Sequence, residues 1–123
     1  FKENIKSVSD HLNLYNEVDI ALDTFPYNGV TTSFEAIWMG VPVLTMQGYN
    51  FNSRCGESIN KNMDMSYLIA KNEDDYIRIA LELTQNIEKL NLIRKKVFET
   101  APNSPLFNMH NFSKNFFEII KNL

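Results

Sequence analysis

Two adjacent hydroxyl residues, Thr31 and Thr32, follow a Pro26-Tyr27-Asn28-Gly29 turn and stand at the start of a segment that reads as a helix ending at Gly40. Exposed N–H groups and the positive end of a helix dipole favour negative charge at such a place, and the two hydroxyls can add donors to an anion's oxygens. A phosphorylated ligand is the chemistry that this layout favours. A second account needs no ligand: Thr32-Ser33-Phe34-Glu35 fits a capping box, in which Thr32 satisfies the Glu35 N–H and Glu35 reaches back to Thr32. Caps contribute roughly 0.5–2 kcal/mol and are common, so both accounts stand on the residues alone.

The elements around this helix must place it. Val18 to Leu22 (VDIAL) reads as a short apolar strand before it and Val41 to Met46 (VPVLTM) as another after it. Apolar runs of this length, bounded by turn residues, suit strands buried on both faces of a parallel sheet with helical crossovers. Ligands of such sheets bind beyond the carboxyl ends of the strands, which is where Asp23 to Thr32 falls. Tyr67 to Ala70 is a third strand candidate. Helices are expected from about Glu73 to Leu83, with Tyr76, Ile77, Ala80 and Leu81 inward, and from about Ile87 to Glu99, with Leu90, Ile93 and Val97 inward. Pro102 and Pro105 then interrupt the pattern before a last helix with a wide apolar face that includes Phe112, Phe116, Phe117, Ile119 and Ile120.

Other reactive residue types have structural readings. His11 within DHLNLYN is, taken by itself, an ordinary helix residue, because a single imidazole is a versatile but unspecific signal. Asp23, at a strand end before a turn, is expected to bond nearby backbone N–H groups. Arg54 and Glu57 are spaced as a surface ion pair at the start of a helix after Gly48 and Ser53; a ligand role would require that helix to line the same cleft. Cys55 reads as a packing residue, His110 as surface, and Asn72-Glu73-Asp74-Asp75 as a capped helix start with acids in its first turn.

Composition narrows the classes. The 123 residues are 44% hydrophobic and 12% aromatic, enough for one packed domain. A net charge of −3 with no basic stripe argues against nucleic acid as a partner. The longest apolar runs fall far short of the ~20 residues that span a bilayer, the first ten residues lack a signal-peptide core, and the one cysteine excludes an internal disulfide. These features suit a cytoplasmic protein with no membrane partner.

Glu35-Ala36 followed by Gly40, Pro42 and Val43 resembles the nucleotide-binding half of GT-B glycosyltransferases. The longer run, from HLNLYNEVDIALDTFPYNGVTT through EAIWMGVPVLTM to SRCGES, SYLIA and SPLF, is narrower and resembles the O-GlcNAc transferase and SPINDLY-like family, above all its bacterial members. The resemblance implies an α/β fold: the C-terminal Rossmann-like domain of a GT-B enzyme, in part, as a parallel sheet flanked by helices. It implies a transferase that moves a sugar from a nucleotide, usually UDP-GlcNAc, onto protein side chains with inversion and without a metal or other cofactor. Carried onto this chain, Thr31 and Thr32 match the diphosphate-binding pair, Glu35 the ribose-binding carboxylate and His11 a histidine that lies against uracil. Val30 stands where relatives carry His or Thr beside the diphosphate, so only its backbone N–H can serve there, and Leu14 replaces an arginine that some relatives hold near the base.

The chain begins at Phe1 and resembles only the later part of a donor domain, residues 1–123 forming that one unit, with the first residues as the end of a strand. The acceptor domain, and the tetratricopeptide repeats common in the resembled family, would lie elsewhere in a longer protein, and this piece alone would not catalyse transfer. The rival readings are a UDP-glucose-dependent N-glucosyltransferase of the same broad family, a non-catalytic nucleotide-binding module and a scaffold without ligand. Against a receiver-like module, only Asp23 among the acids sits at a strand end.

Overall fold

Parallel pairing organises the computed structural model, which describes residues 7–123. Strands β1 (Ala21–Asp23), β2 (Val43–Met46) and β3 (Ile69–Ala70) lie in the order β1-β2-β3, all parallel. Ala21 faces Val43 and Asp23 faces Thr45 in the first pair, and Thr45 faces Ile69 in the second. β2 is buried along its whole length, as an apolar central strand under helical crossovers must be. The strand end expected for the first residues lies outside the described residues.

The crossovers are α2 (Thr31–Trp38) and α3 (Cys55–Asn62), which touch each other. α1 (Val8–Asn13) runs into a 3₁₀ turn, Leu14–Glu17, and α4 (Glu73–Gln85) and α5 (Ile87–Thr100) follow β3. The core joins Ile37, Val43, Leu44, Met63, Leu68 and Val97 across these elements.

Each strand is shorter than its apolar run. In the first, the carbonyls of Val18 and Asp19 accept from the Arg94 guanidinium; Val18 packs against the core, Asp19 is exposed, and neither joins the ladder. In the second, Val41 N–H closes α2: it donates to Ala36 O at 2.8 Å and Gly40 N–H to Ile37 O at 3.0 Å, with Gly40 at φ 75°. That is a Schellman stop, and its left-handed residue explains the glycine. Pro42 then has no N–H to offer a ladder. The third run spends Ser66–Leu68 in a 3₁₀ turn.

The inward faces are partly as expected. α5 buries Leu90, Ile93 and Val97. α4 instead buries Ile79 and Leu83, with Tyr76 and Ala80 against the core, while Ile77 and Leu81 face solvent. The apolar residues of α4 cover two adjacent stripes, and helical spacing alone does not say which one meets the sheet. The last helix, α6 (Met109–Lys121), has no buried residue, so its apolar face does not pack on this sheet.

At the carboxyl ends of the strands the first turn of α3 (Cys55–Asn62) approaches β1 and β2 so closely that Gly56 has no room for a side chain. A Cβ there would stand 2.2 Å from Asp23 Oδ2 and 2.3 Å from Thr45 Oγ1. Gly56→Ala is therefore expected to destabilise the chain by at least the roughly 1–3 kcal/mol typical of overpacking. Urea denaturation measures this, and an unchanged midpoint would mean that α3 does not meet the ends of β1 and β2 as described.

Candidate functional site

The loop between β1 and α2 is fixed by a buried carboxylate. Asp23, 6% exposed, accepts from the Gly29 N–H at 2.6 Å through Oδ1 and from the Thr45 hydroxyl at 2.7 Å through Oδ2. Burial pushes its pKa up against the opposing pull of these two bonds. The buried Asn28 joins this loop to the next: its N–H donates to Asn52 O, its Oδ1 accepts from Gly56 N–H, and its amide nitrogen reaches the Thr45 hydroxyl. The Ser33 hydroxyl donates back to Gly29 O at 3.0 Å. The expectation that Asp23 bonds backbone N–H groups holds, and the peptide before Pro26 is cis.

This frame starts α2 at Thr31, two residues earlier than a Thr32 cap requires. Val30 is the N-cap and provides no side-chain cap. The capping box is therefore not formed: Thr32 already lies inside the helix, and Glu35 turns sideways, away from the helix start. Thr31 and Thr32 are both exposed. By contrast Ser7, Asn72, Asn86 and Asn108 cap α1, α4, α5 and α6 with their side chains. The first-turn amides of α2 are left to solvent or to a ligand.

Glu35 is the centre of a second cluster. Its Oε2 lies 3.0 Å from His11 Nε2 and accepts from the Tyr15 hydroxyl at 3.0 Å, and that hydroxyl is also 3.3 Å from Thr32 O. The His11 and Tyr15 rings meet edge to face, 5.9 Å between centroids. Burial, followed by the hydrogen bond and charge of Glu35, pushes the Tyr15 phenol up to about 12. His11, Thr32 and Glu35 are thus brought together as the sequence candidates imply, and Tyr15 is the member that the sequence reading missed. Its signal was its place one turn after His11, on the same face of a continuing helix.

Two clefts flank the start of α2. The smaller, about 290 Å³, is lined by Tyr15, Asp23, Thr24, Tyr27, Gly29 and Thr32 among others. The larger, about 760 Å³, is lined by Val30, Phe34, Tyr49, Phe51, Arg54 and Lys61 among others. Arg54 and Glu57 therefore line a cleft that Val30, the N-cap of α2, also lines, and their pair joins an exposed Arg54 to a buried Glu57. Glu57 is 3% exposed and accepts from Arg54 Nε at 2.8 Å, Lys61 Nζ at 2.6 Å and Gln47 Nε2 at 3.2 Å. The bonds from Arg54 and Lys61 hold its carboxyl below the usual range.

Cys55 is a half-buried thiol bonded to Phe51 O, Asn72 caps α4 through Asp75 N–H, and His110 is exposed, each in line with its sequence pattern. No described helix is long and apolar enough to cross a membrane.

Residues 2–116 match the model of glycosyl transferase family 41. The chain is 42% identical over 97 residues to a probable UDP-N-acetylglucosamine–peptide N-acetylglucosaminyltransferase SPINDLY of Eustoma exaltatum subsp. russellianum, covering 79% of this chain and 11% of that protein. It is 37% identical over 114 residues to the protein of the same description from Solanum lycopersicum, covering 93% of this chain and 12% of the relative. In structure it resembles a mutant O-GlcNAc transferase of Thermobaculum terrenum, with TM-score 0.88, 32% identity, and coverage of 95% of this chain and 22% of the other. The fold class expected from the resemblance, a partial Rossmann-like domain of a GT-B enzyme, agrees with that match. The chain spans about a tenth of the length of the curated relatives that it matches.

The Glu35 cluster makes a titration prediction. With its tyrosine ring carbons labelled, Tyr15 should ionise near pH 12, and in Glu35→Gln its pKa should fall part of the way back, because burial persists while the carboxylate's charge is gone. An unmoved Tyr15 midpoint in that variant would contradict the contact.

Proposed function

The chain belongs to glycosyl transferase family 41, and from this premise we propose that it forms part of the donor site of a protein glycosyltransferase whose donor is a UDP-sugar, UDP-GlcNAc in the first place. The observation that carries the reading is the uncapped start of α2 at the carboxyl edge of a parallel sheet, with Thr31 and Thr32 exposed on it and the Glu35–His11–Tyr15 cluster beside it.

In this reading the diphosphate sits on the first turn of α2. The amides and hydroxyls of Thr31 and Thr32 donate to it, and Val30 contributes its N–H alone. Glu35 holds the ribose hydroxyls. Both of its observed bonds fall on Oε2, and a carboxylate has about four acceptor sites, so Oε1 can take the ribose while Oε2 keeps the cluster in place. His11, steadied by Glu35, lies against the base, with Leu14 as an apolar neighbour.

Transfer breaks the bond between the anomeric carbon and the diphosphate oxygen, and negative charge grows on the departing UDP. Helix dipole and hydroxyls aimed at that charge stabilise it where it develops, without a metal. The acceptor, a protein or peptide hydroxyl, attacks from the opposite face and so inverts the carbon. The catalytic base and the acceptor surface belong to parts of the enzyme outside this chain, and the isolated chain would bind donor without turning it over.

The test is a titration of UDP, GDP, UMP and uridine without magnesium, followed by amide shifts. UDP should move Thr31, Thr32 and Glu35, whereas silence at millimolar UDP would favour a scaffold. Thr31→Ala with Thr32→Ala should weaken UDP by roughly 1.5–3 kcal/mol per lost bond to charge and leave uridine unaffected. Glu35→Ala should weaken both. The reverse pattern would contradict the assignment of diphosphate and ribose.

A further inference from the structure

Both bonds to the buried Asp23 carboxylate come from neutral donors, the Gly29 N–H and the Thr45 hydroxyl. Glu57, comparably buried, is held by Arg54 and Lys61. Cations thus keep Glu57 an anion, whereas burial leaves Asp23 inclined to take a proton. The groups that face Asp23 do not offset this. From α4, Tyr76 brings a phenol pushed up by burial and by the Asp23 charge, its buried hydroxyl without a hydrogen-bond partner among the described residues. From α3, Gly56 brings no side chain. Tyr15 and Tyr27 line the same cleft as Asp23, and the Tyr15 phenol is pushed up to about 12.

This carboxylate stands beside the start of α2. A Cβ on Gly29 would meet Thr32 Oγ1 at 2.6 Å, Ser33 Oγ at 3.1 Å and Asp23 Oδ1 at 3.6 Å, so the acid and two hydroxyls of the first turn crowd around one glycine. Asp23, Gly29, Thr32 and Ser33 also line one cleft, of about 290 Å³. An anion received by the amides and hydroxyls of that turn comes close to a second negative charge, and between groups sheltered from water the repulsion is only weakly screened. A neighbouring like charge favours the neutral form of a carboxyl. The framework around Asp23 can carry the proton: on Oδ2 it is donated to the Thr45 oxygen, and Oδ1 still accepts from the Gly29 N–H.

We propose that Asp23 couples donor binding to proton uptake: when the diphosphate settles on the first turn of α2, the Asp23 carboxylate takes a proton from solvent and becomes a neutral acid. The inference rests on the donor-site reading above and adds how pH regulates that site. Asp23 touches no part of the donor; it acts through Gly29, as a positioning residue. The donor is then held most tightly where Asp23 is already protonated, and affinity falls as pH rises through the Asp23 range, which burial sets above that of an ordinary aspartate. The loss is about tenfold for each unit by which bound diphosphate raises the Asp23 pKa.

UDP-GlcNAc is the probe, because neither of its phosphates titrates in this range as the terminal phosphate of UDP does. The Asp23 carboxyl carbon, labelled with ¹³C, should titrate at higher pH with UDP-GlcNAc bound than without it. Calorimetry in buffers of different ionisation enthalpy should show net proton uptake on binding within that window. Uridine, uncharged but able to meet Glu35 and His11, should leave the Asp23 midpoint where it is. Asp23→Asn keeps an acceptor for Gly29 and should bind UDP-GlcNAc with only the pH slope that uridine shows. Thr45→Val, which removes one of the two bonds that favour the anion, should move the window to higher pH. If UDP-GlcNAc moves the amides of Thr31 and Thr32 but leaves the Asp23 midpoint and the proton count unchanged, the coupling is wrong and the donor site survives. If it moves neither the amides nor Asp23, both fall together.

Discussion

A single buried carboxylate holds the edge of the sheet on which the site is built. Asp23 ends β1, receives the Gly29 N–H from the loop that leads to α2, and receives the Thr45 hydroxyl from the neighbouring strand. Taking a carboxylate out of water is costly unless its oxygens find donors, and here each oxygen finds one. Its raised pKa shows that burial still outweighs the two bonds. The geometry is tight enough that α3 must approach with a glycine, Gly56, whose amide is taken by Asn28. If this knot were loosened, the turn, the start of α2 and the loop after β2 would lose their common anchor.

Three carboxylates near one sheet edge illustrate how environment divides labour among like groups. Asp23 has both oxygens engaged by its own framework. Glu57 is equally buried, but its partners are the cations Arg54 and Lys61, which lower its pKa where burial alone would raise it. Glu35 is more open and is bonded through one oxygen to a histidine and a tyrosine. The first fixes a loop, the second aims cations into a cleft, and the third leaves an acceptor toward solvent.

The helix starts follow the same division. Four helices begin with Ser or Asn caps that satisfy first-turn amides locally. α2 and α3, the crossovers whose first turns adjoin the larger cleft, have no side-chain cap. A missing cap forgoes roughly 0.5–2 kcal/mol. A ligand that supplies oxygens to those amides recovers that stabilisation in the bound state, which makes an uncapped start an anion-receiving feature and not only a weak one.

Sequence alone determined the class of fold, because apolar runs of strand length, Gly-Pro punctuation and helical periodicity are local properties, and it put Thr31 and Thr32 at a helix start for the same reason; Glu35 and His11 were singled out by the resemblance to the O-GlcNAc transferase and SPINDLY-like family. It identified the caps of α4 and the inward face of α5 for the same reason. Tertiary structure decided what depends on partners far along the chain. Arg94 shortened β1 by claiming Val18 and Asp19 carbonyls. The choice of Ile79 and Leu83 over Ile77 and Leu81 as the buried stripe of α4 came from what it packs against. The capping box was legible but not formed, since the Asp23–Gly29 and Ser33–Gly29 bonds set the helix start two residues early. The bond from Tyr15 to Glu35 and the burial of Glu57 were not written in the sequence, beyond the place of Tyr15 one turn after His11: hydrogen bonds that close over twenty residues, and the exclusion of water from a side chain, exist only once the sheet brings the segments together.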